Sequence, residues 1–138
     1  MTQTPNFQLN QWSPEDYVRR TDFNADNAKV EAALAAAGNC RIVTGSYVGT
    51  GESGQANKNS LTFEKTPLFL AVGGANNFHF WAVKGDDAAS VTRGQNGPES
   101  IPMTWNGKTV SWYHSSNAER QLNVANRVYT YIALIATE

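Results

Sequence analysis

The 138-residue chain is poor in charge and nearly devoid of cysteine. Charged residues make up 17% of it, and the formal net charge is −1. Without an excess of Lys and Arg, the chain has no basic surface to neutralise nucleic-acid phosphates. A lone Cys40 excludes an internal disulfide and a zinc site made of several thiolates. We therefore expect neither nucleic acid nor structural zinc as a partner.

Long apolar runs and targeting signals are also missing. The longest apolar runs, 32–37 and 131–136, have six residues each, whereas a membrane-spanning helix needs about 20. The first residues carry neither a basic segment nor an apolar one, so we expect no secretory leader and no membrane insertion. A single thiol is typical of a protein that folds in a reducing cytoplasm.

Sequence motifs for catalysis and for metal binding are scarce. Two histidines are too few for a convincing metal centre, and neither a phosphate-binding loop nor a nucleophile elbow occurs. Glycoside cleavage needs two carboxylates in one cleft, and the candidates within residues 39–138 are Glu52, Glu64, Glu99 and Glu119. All four lie in or beside turn-like segments. We expect a protein without enzyme activity, cofactor or metal.

Residues 1–21 predict an irregular N-terminal arm. Pro5 and Pro14 interrupt any helix there. Large aromatic side chains can anchor such a short segment in the groove of another protein. The candidates for this attachment are Phe7, Trp12 and Tyr17.

Residues 22–38 predict a short coiled-coil helix, with Asp22 as the N-cap and Gly38 as the terminator. A heptad seam is formed by Phe23, Asn27, Val30 and Leu34. By spacing alone, an amphipathic helix packed on its own domain is an equal alternative. The many alanines favour close contact between helices. Two heptads cannot hold chains together unaided, so we expect another associating surface.

Residues 39–138 predict an antiparallel β domain, either a β-sandwich or a jelly-roll-like head. About eight short strands alternate with turns rich in Gly and Asn. Asn106-Gly107 predicts a hairpin with a type I′ turn. Pairing across that turn places Met103 opposite Val110, and the apolar side chains share one face.

The last predicted strand, 127–135, is apolar on both faces. Its alternating positions are Val128, Ile132 and Leu134 against Tyr129, Tyr131 and Ile135. Such a strand is expected where one face packs on its own core and the other on a second chain. We assign Tyr129 and Tyr131 to that contact between copies, together with the helix seam.

Aromatic residues and polar loops of the β region are candidates for receptor binding. A sugar can stack on a flat ring and bond to nearby polar groups, and the candidates are Trp81, Tyr113, His114 and Asn117. Packing in the core is the alternative, which the sequence favours for Trp81. Recognition is commonly carried by loops on a rigid scaffold, and the predicted loops are 49–59, 94–97 and 115–117.

Segments along nearly the whole chain also follow a recognisable order. They are Asn6–Trp12, Asp22–Ala33, Gly45–Gly51, Ser60–Phe63, Pro67, Thr104-Trp105, Val110–Tyr113 and Gln121–Asn123. In this order they resemble tail-fibre proteins of phages and prophages of Gram-positive gut bacteria. The resemblance implies an N-terminal tail-attachment segment, a short coiled stalk and a β-rich head that meets the host surface, usually as a homotrimer.

The resemblance also implies a location and a set of partners. The protein would be assembled in the bacterial host cytoplasm and reside in the virion tail. Its partners would be copies of itself, other tail or baseplate proteins, and a host cell-surface glycan or protein. With about two heptads, a compact tip or a purely structural collar, decoration or adaptor protein remains the alternative. Whether the oligomer is a dimer or a trimer stays open. It also stays open whether the particle is a phage virion or a bacteriocin-like particle.

Overall fold

The computed structural model describes residues 1–38, 40–74, 78–93 and 96–137. The chain divides into two compact units, Met1–Gly38 and Asn39–Glu138. The described part is mainly β with antiparallel pairing throughout, which confirms the predicted fold class at this level. The predicted loop at 94–97 begins with two residues, 94 and 95, that lie outside the described part.

The arm contains one short β ladder within an otherwise irregular segment. Strand β1 (Thr2–Gln3) pairs antiparallel with β2 (Asn10–Gln11). The Asn10 amide donates to the carboxylate of Asp26 at 3.1 Å, and the Lys29 ammonium donates to the Gln8 carbonyl. Local propensity could not predict these two bonds, because both anchoring side chains belong to the helix that follows.

Helix α1 (Arg20–Ala36) begins two residues before the predicted start. The N-cap is Arg19, whose carbonyl accepts the amides of Asp22 and Phe23, both at 3.1 Å. Asp22 thus lies in the first turn, where its negative charge suits the positive end of the helix dipole. Gly38 has φ of +100°, the left-handed conformation that commonly follows a helix end.

The second unit consists of two four-stranded antiparallel sheets. The first contains, in spatial order, β3 (Cys40–Val48), β10 (Val128–Ala136), β5 (Pro67–Gly73) and β6 (Phe80–Val83). The second contains β4 (Asn59–Thr62), β9 (Thr109–Trp112), β8 (Asn96–Asn106) and β7 (Ala88–Arg93). Since β7, β8 and β9 lie side by side in one sheet, this order differs from that of a jelly roll.

Each sheet turns one face toward a shared core, as in a β-sandwich. The inward residues include Leu70, Val72, Phe80, Tyr129 and Ile135 from the first sheet, and Val91, Ile101, Met103, Val110 and Trp112 from the second. The Trp112 ring meets Phe80 with centroids 5.2 Å apart, and Tyr47 at 6.1 Å. These edge-on ring contacts join the two sheets.

The β8–β9 hairpin has its turn one residue beyond the predicted place. Asn106 pairs with Thr109, which leaves 107–108 as the loop. Gly107 has φ of +58° and occupies the first central position, the place where a type II′ turn takes glycine. The pairing moves by two positions, so every side chain stays on its predicted face.

Candidate functional site: exposed interaction surfaces

Tyr129 lies inside the subunit, so its assignment to a contact between copies is wrong. Its side chain is fully buried and stacks on Tyr47 with ring centroids 5.3 Å apart. Its hydroxyl accepts the amide of Val124 at 3.1 Å. The two-faced pattern of this strand was real, and the side that carries Tyr129 faces the core of the subunit.

Tyr131 lies on the same inward face and is half-buried. It pairs across the ladder with Gly45, where an added Cβ would come within 2.3 Å of the tyrosine hydroxyl. Its ring meets Phe63 edge-on at 5.9 Å. Gly45 therefore makes room for Tyr131 over its own sheet, and this ring also packs within the subunit.

Tyr47 completes the inner aromatic group. Its hydroxyl donates to the carbonyl of Leu122 at 2.8 Å and accepts the side-chain amide of Asn59 at 3.4 Å. Burial raises the pKa of Tyr47 well above its ordinary value. The Tyr47 hydroxyl is therefore a fixed structural group rather than a proton donor or acceptor for chemistry.

The helix seam is open to solvent in the single chain. All four seam residues, Phe23, Asn27, Val30 and Leu34, are exposed, with Phe23 at 57% and Leu34 at 67%. None of the described residues of α1 is buried. The arm bonds to Asp26 and Lys29, which lie on the neighbouring face. The arm thus orders one side of the helix and leaves the apolar side uncovered.

The predicted tail-attachment residues differ in exposure. Phe7 and Tyr17 are exposed, whereas Trp12 is half-buried. Trp12 and Tyr17 line a shallow depression together with Asp16. The Ser13 amide and the N-terminal ammonium both bond to the Asp16 carboxylate and hold its pKa below the ordinary value. The role of Phe7, Trp12 and Tyr17 in tail attachment stays a prediction.

The outward residues of the first sheet form what we call the apolar face. Across the strands, one row consists of Val83, Phe69, Leu134 and Ile42, and the next of Trp81, Ala71, Ile132 and Thr44. Ile42 is 68% exposed, Trp81 63% and Ile132 50%. Phe69 and Trp81 stack with ring centroids 6.3 Å apart. Among the described outward positions of these four strands, none carries a charge.

The outward residues of the second sheet form the opposite kind of surface, which we call the hydroxyl face. Its rows are Ser60, Ser111 and Thr104, and Thr62, Thr109 and Asn106. The Ser60 and Ser111 hydroxyls are 2.8 Å apart, and those of Thr62 and Thr109 2.9 Å. A solvated face of an antiparallel sheet normally carries polar residues, and the hydroxyl face follows that rule.

The receptor candidates do not converge on one site. Trp81, which the sequence favoured as a core residue, is exposed on the apolar face. Tyr113 directly follows β9 of the other sheet, is half-buried, and has the Lys58 ammonium 5.6 Å from its ring centroid. Only Tyr113, His114 and Asn117 share one segment of the chain.

His114 is a buried structural residue. Its Nδ1 accepts the amides of Ser116 and Asn117 at 3.1 and 3.0 Å. Its Nε2 therefore carries the proton and donates to a Glu99 oxygen at 2.7 Å. Glu99 also forms an ion pair with Arg120. Because both ring nitrogens are occupied, His114 positions the loop after β9 and has no free nitrogen for a ligand.

A buried amide was missed by the sequence reasoning. Gln121 is fully buried, and its side-chain oxygen accepts the amides of His114 at 2.9 Å and Gly54 at 3.1 Å. Its side-chain nitrogen donates to the Asn57 carbonyl at 2.7 Å. No propensity marks a glutamine as a core residue, since two of its partners, Gly54 and Asn57, lie in a loop more than sixty residues away in sequence.

Asn123 acts in the same way two residues later. Its side chain accepts the Thr50 amide at 3.0 Å and donates to the Glu52 carbonyl at 2.9 Å. Between them, Leu122 is fully buried with φ of +59°, a strained conformation for leucine. Gln121 and Asn123 thus tie the loop after β3 to the loop before β10, and the strain at Leu122 is held by that attachment.

The four carboxylates weighed for glycan cleavage include two in ion pairs. Glu64 pairs with Arg41 at 2.7 Å, and Glu99 is held by His114 and Arg120. The Arg41 hydrogen bond and charge lower the pKa of Glu64. In the described ranges, no three His, Cys, Asp or Glu side chains are grouped to hold a metal ion. Over the same residues, no helix is long and apolar enough to span a membrane.

Comparison with known proteins adds no family. No protein-family model matches the chain, and no curated protein or solved structure matches it. The class is therefore the one that the fold defines, a mainly β protein with a sandwich-like unit of two antiparallel sheets.

Proposed function

We propose that this chain is a non-enzymatic virion protein. It is a homotrimeric tail-fibre or tail-tip protein that attaches to the tail through its N-terminal arm and binds the host cell surface through its β head. The observation that supports this most is the helix seam, a heptad pattern of three exposed apolar residues and Asn27 on a helix with no buried described residue. The resemblance to tail-fibre proteins supplies the biological setting.

The seam supports association of copies through a coiled-coil stalk. A 17-residue helix is marginal in water unless an apolar face packs against a partner. Burying Phe23, Val30 and Leu34 in a bundle of copies would gain about 1.5–3 kcal/mol for each fully buried side chain. Asn27, midway along the seam, would set the register of the helices.

The head supports recognition because its long loops are held firmly. Gln121 and Asn123 tie the loop after β3 to the loop before β10 through buried hydrogen bonds. Between these loops, the Tyr113 ring lies under the Lys58 ammonium, a pair that offers a flat ring and a charge to a glycan. Three weak sites presented together raise avidity by about 10²–10⁴.

The mass of the full chain in solution tests the association. Native mass spectrometry at micromolar concentration should give three times the 15.1 kDa chain mass. Leu34→Asp should yield monomers, because it places a charge in the seam. Ala32→Asp is the matched control, since it adds the same charge on the side of α1 away from the seam. A wild-type chain that stays monomeric would overturn the proposed trimer.

Binding to host cells tests the adhesive role against a purely structural one. A collar, decoration or adaptor role is favoured by one observation, namely that the receptor candidate His114 is buried and committed to internal bonds. Labelled full-length chain applied to host cells or to a glycan array should bind, and Tyr113→Ala should weaken that binding. Binding only to other tail proteins would support the structural role instead.

A further inference from the structure

We propose that the apolar face is the surface through which the head of one copy packs against the head of a second copy. This rests on the proposed homo-oligomer and names the contact that its heads would make. The face lies opposite the inward side to which Tyr129 and Tyr131 belong.

The apolar face is built for contact rather than for water. Ile42, Trp81 and Ile132 lie on three of the four strands and expose half or more of their surface. In a soluble monomer, isolated exposed apolar residues are normal, but rows of them across four strands are not. The hydroxyl face of the same unit shows what this chain places on a sheet surface that meets solvent. The difference is therefore specific to one sheet.

The size of the face suits an interface between copies. Four strands about 4.8 Å apart, with outward positions about 6.8 Å apart along each, cover roughly 500 Å² in projection. One partner in a stable protein interface contributes about 800 Å² of accessible surface. Accessible surface follows the contours of the side chains and therefore exceeds the projected area of the same face. The apolar face thus meets the need for a second associating surface beside the two heptads of the helix.

The chemistry of the face points to a second copy as the occupant. No described outward position carries a charge, so two copies of the face meet without like-charge repulsion. A partner that brings charged groups would have to bury them without counter-charges. Polar residues of the next row, Ser46 and Thr130, lie beside the apolar rows, in the way that a polar rim borders an interface core. At this rim, His79 is bonded to Thr92 at 3.0 Å.

The test compares Ile132→Asp on the apolar face with Thr104→Asp on the hydroxyl face. Both add one charge at an outward position of a paired strand. Sedimentation of the full chain should show association weakened at least about tenfold by the first variant and unchanged by the second. Circular dichroism should report retained strand content, and Ile132→Ser gives a milder variant that weakens association without adding charge.

A cross-linking measurement makes the test independent of destabilising changes. In a Cys40→Ser background, Ile132→Cys treated with a short bismaleimide should give linked chains, whereas Thr104→Cys should not. If Leu34→Asp dissociates the protein but neither Ile132 variant acts, the sheet contact is overturned and the proposed stalk survives. If the wild-type chain is monomeric, both the sheet contact and the proposed stalk are overturned. Loss of cell binding in Ile132→Asp with association intact would assign the face to the host receptor and overturn the proposal.

Discussion

The two outer faces of the head differ although they belong to one sandwich and obey the same alternation. The hydroxyl face pairs Ser60 with Ser111 and Thr62 with Thr109. The apolar face sets Trp81, Ile132 and their neighbours at equivalent outward positions. Both faces are free of charge within the described strands. The two faces differ because one carries hydroxyl side chains and the other carries hydrocarbon side chains. This difference separates the sheet that meets water from the sheet that we propose meets another copy.

The difference also shows where one-dimensional patterns lose information. Along β10, the outward Ile132 looks like one apolar residue among others. Only the register brings it beside Ala71 of β5 and Thr44 of β3. A surface is a property of rows across strands, and those rows join segments that are far apart in the chain.

The largest expected effect separates the core from the apolar face with one residue type. Changing the buried Trp112 to alanine should lower the free energy of unfolding by about 3–5 kcal/mol. Trp81→Ala should cost less than about 1 kcal/mol in dilute protein, because its ring is exposed there. Urea unfolding checks both values, and equal costs for the two variants would mean that the apolar face is part of the folded core.

Next in size is the buried amide compared with an exposed hydroxyl. Gln121→Ala leaves the His114 amide without its acceptor and the Asn57 carbonyl without its donor, so we expect a loss of about 2–4 kcal/mol. Ser111→Ala removes an exposed bond on the hydroxyl face, which water replaces at a cost of less than about 0.5 kcal/mol. The same unfolding measurement applies. A similar cost at both positions would show that the hydroxyl pairs hold the sheet.

A third expectation concerns conversion of one face into the other. The triple variant Ser60→Val, Thr104→Val and Ser111→Val gives the second sheet an apolar outer row. Because valine suits strands, unfolding free energy should change by less than about 1 kcal/mol. Light scattering should nevertheless report polydisperse, larger assemblies, as each head would then have two adhesive faces. Thr104→Ser is the control, and a triple variant of unchanged mass would contradict this account.

The smallest effect is electrostatic. Arg41 lowers the pKa of Glu64 in the folded chain through a hydrogen bond and its charge. The stabilisation is therefore present above the ordinary pKa of the carboxyl group and is lost as the pH falls through the lowered folded-state pKa. It is small because both side chains are exposed. In Arg41→Gln, a carboxyl NMR titration should place the Glu64 midpoint at higher pH. An unmoved midpoint would show that Arg41 is not the cause.

Several features could be predicted from the sequence because they arise from neighbours in the chain. The helix and its seam follow from the spacing of Phe23, Val30 and Leu34, and the antiparallel β character follows from short alternating runs between turns. The two-faced last strand was also visible. What the sequence could not give involves distant partners: Tyr129, wrongly assigned to a contact between copies, faces a core made by other strands. The bonds from the arm go to Asp26 and Lys29 of the helix.

The amino-acid sequence by itself determined the periodicities: a heptad on one helix, alternation on the strands, and two apolar sides on the last of them. The tertiary structure alone decided which side of each element faces the core and which side faces outward. It turned Tyr129 inward, left Ile132 and Trp81 outward, and buried Gln121 and His114 among backbone groups that need their bonds. The physical reason is that alternation defines two faces without naming them. Which face meets water depends on the pairing of strands that are remote in the chain.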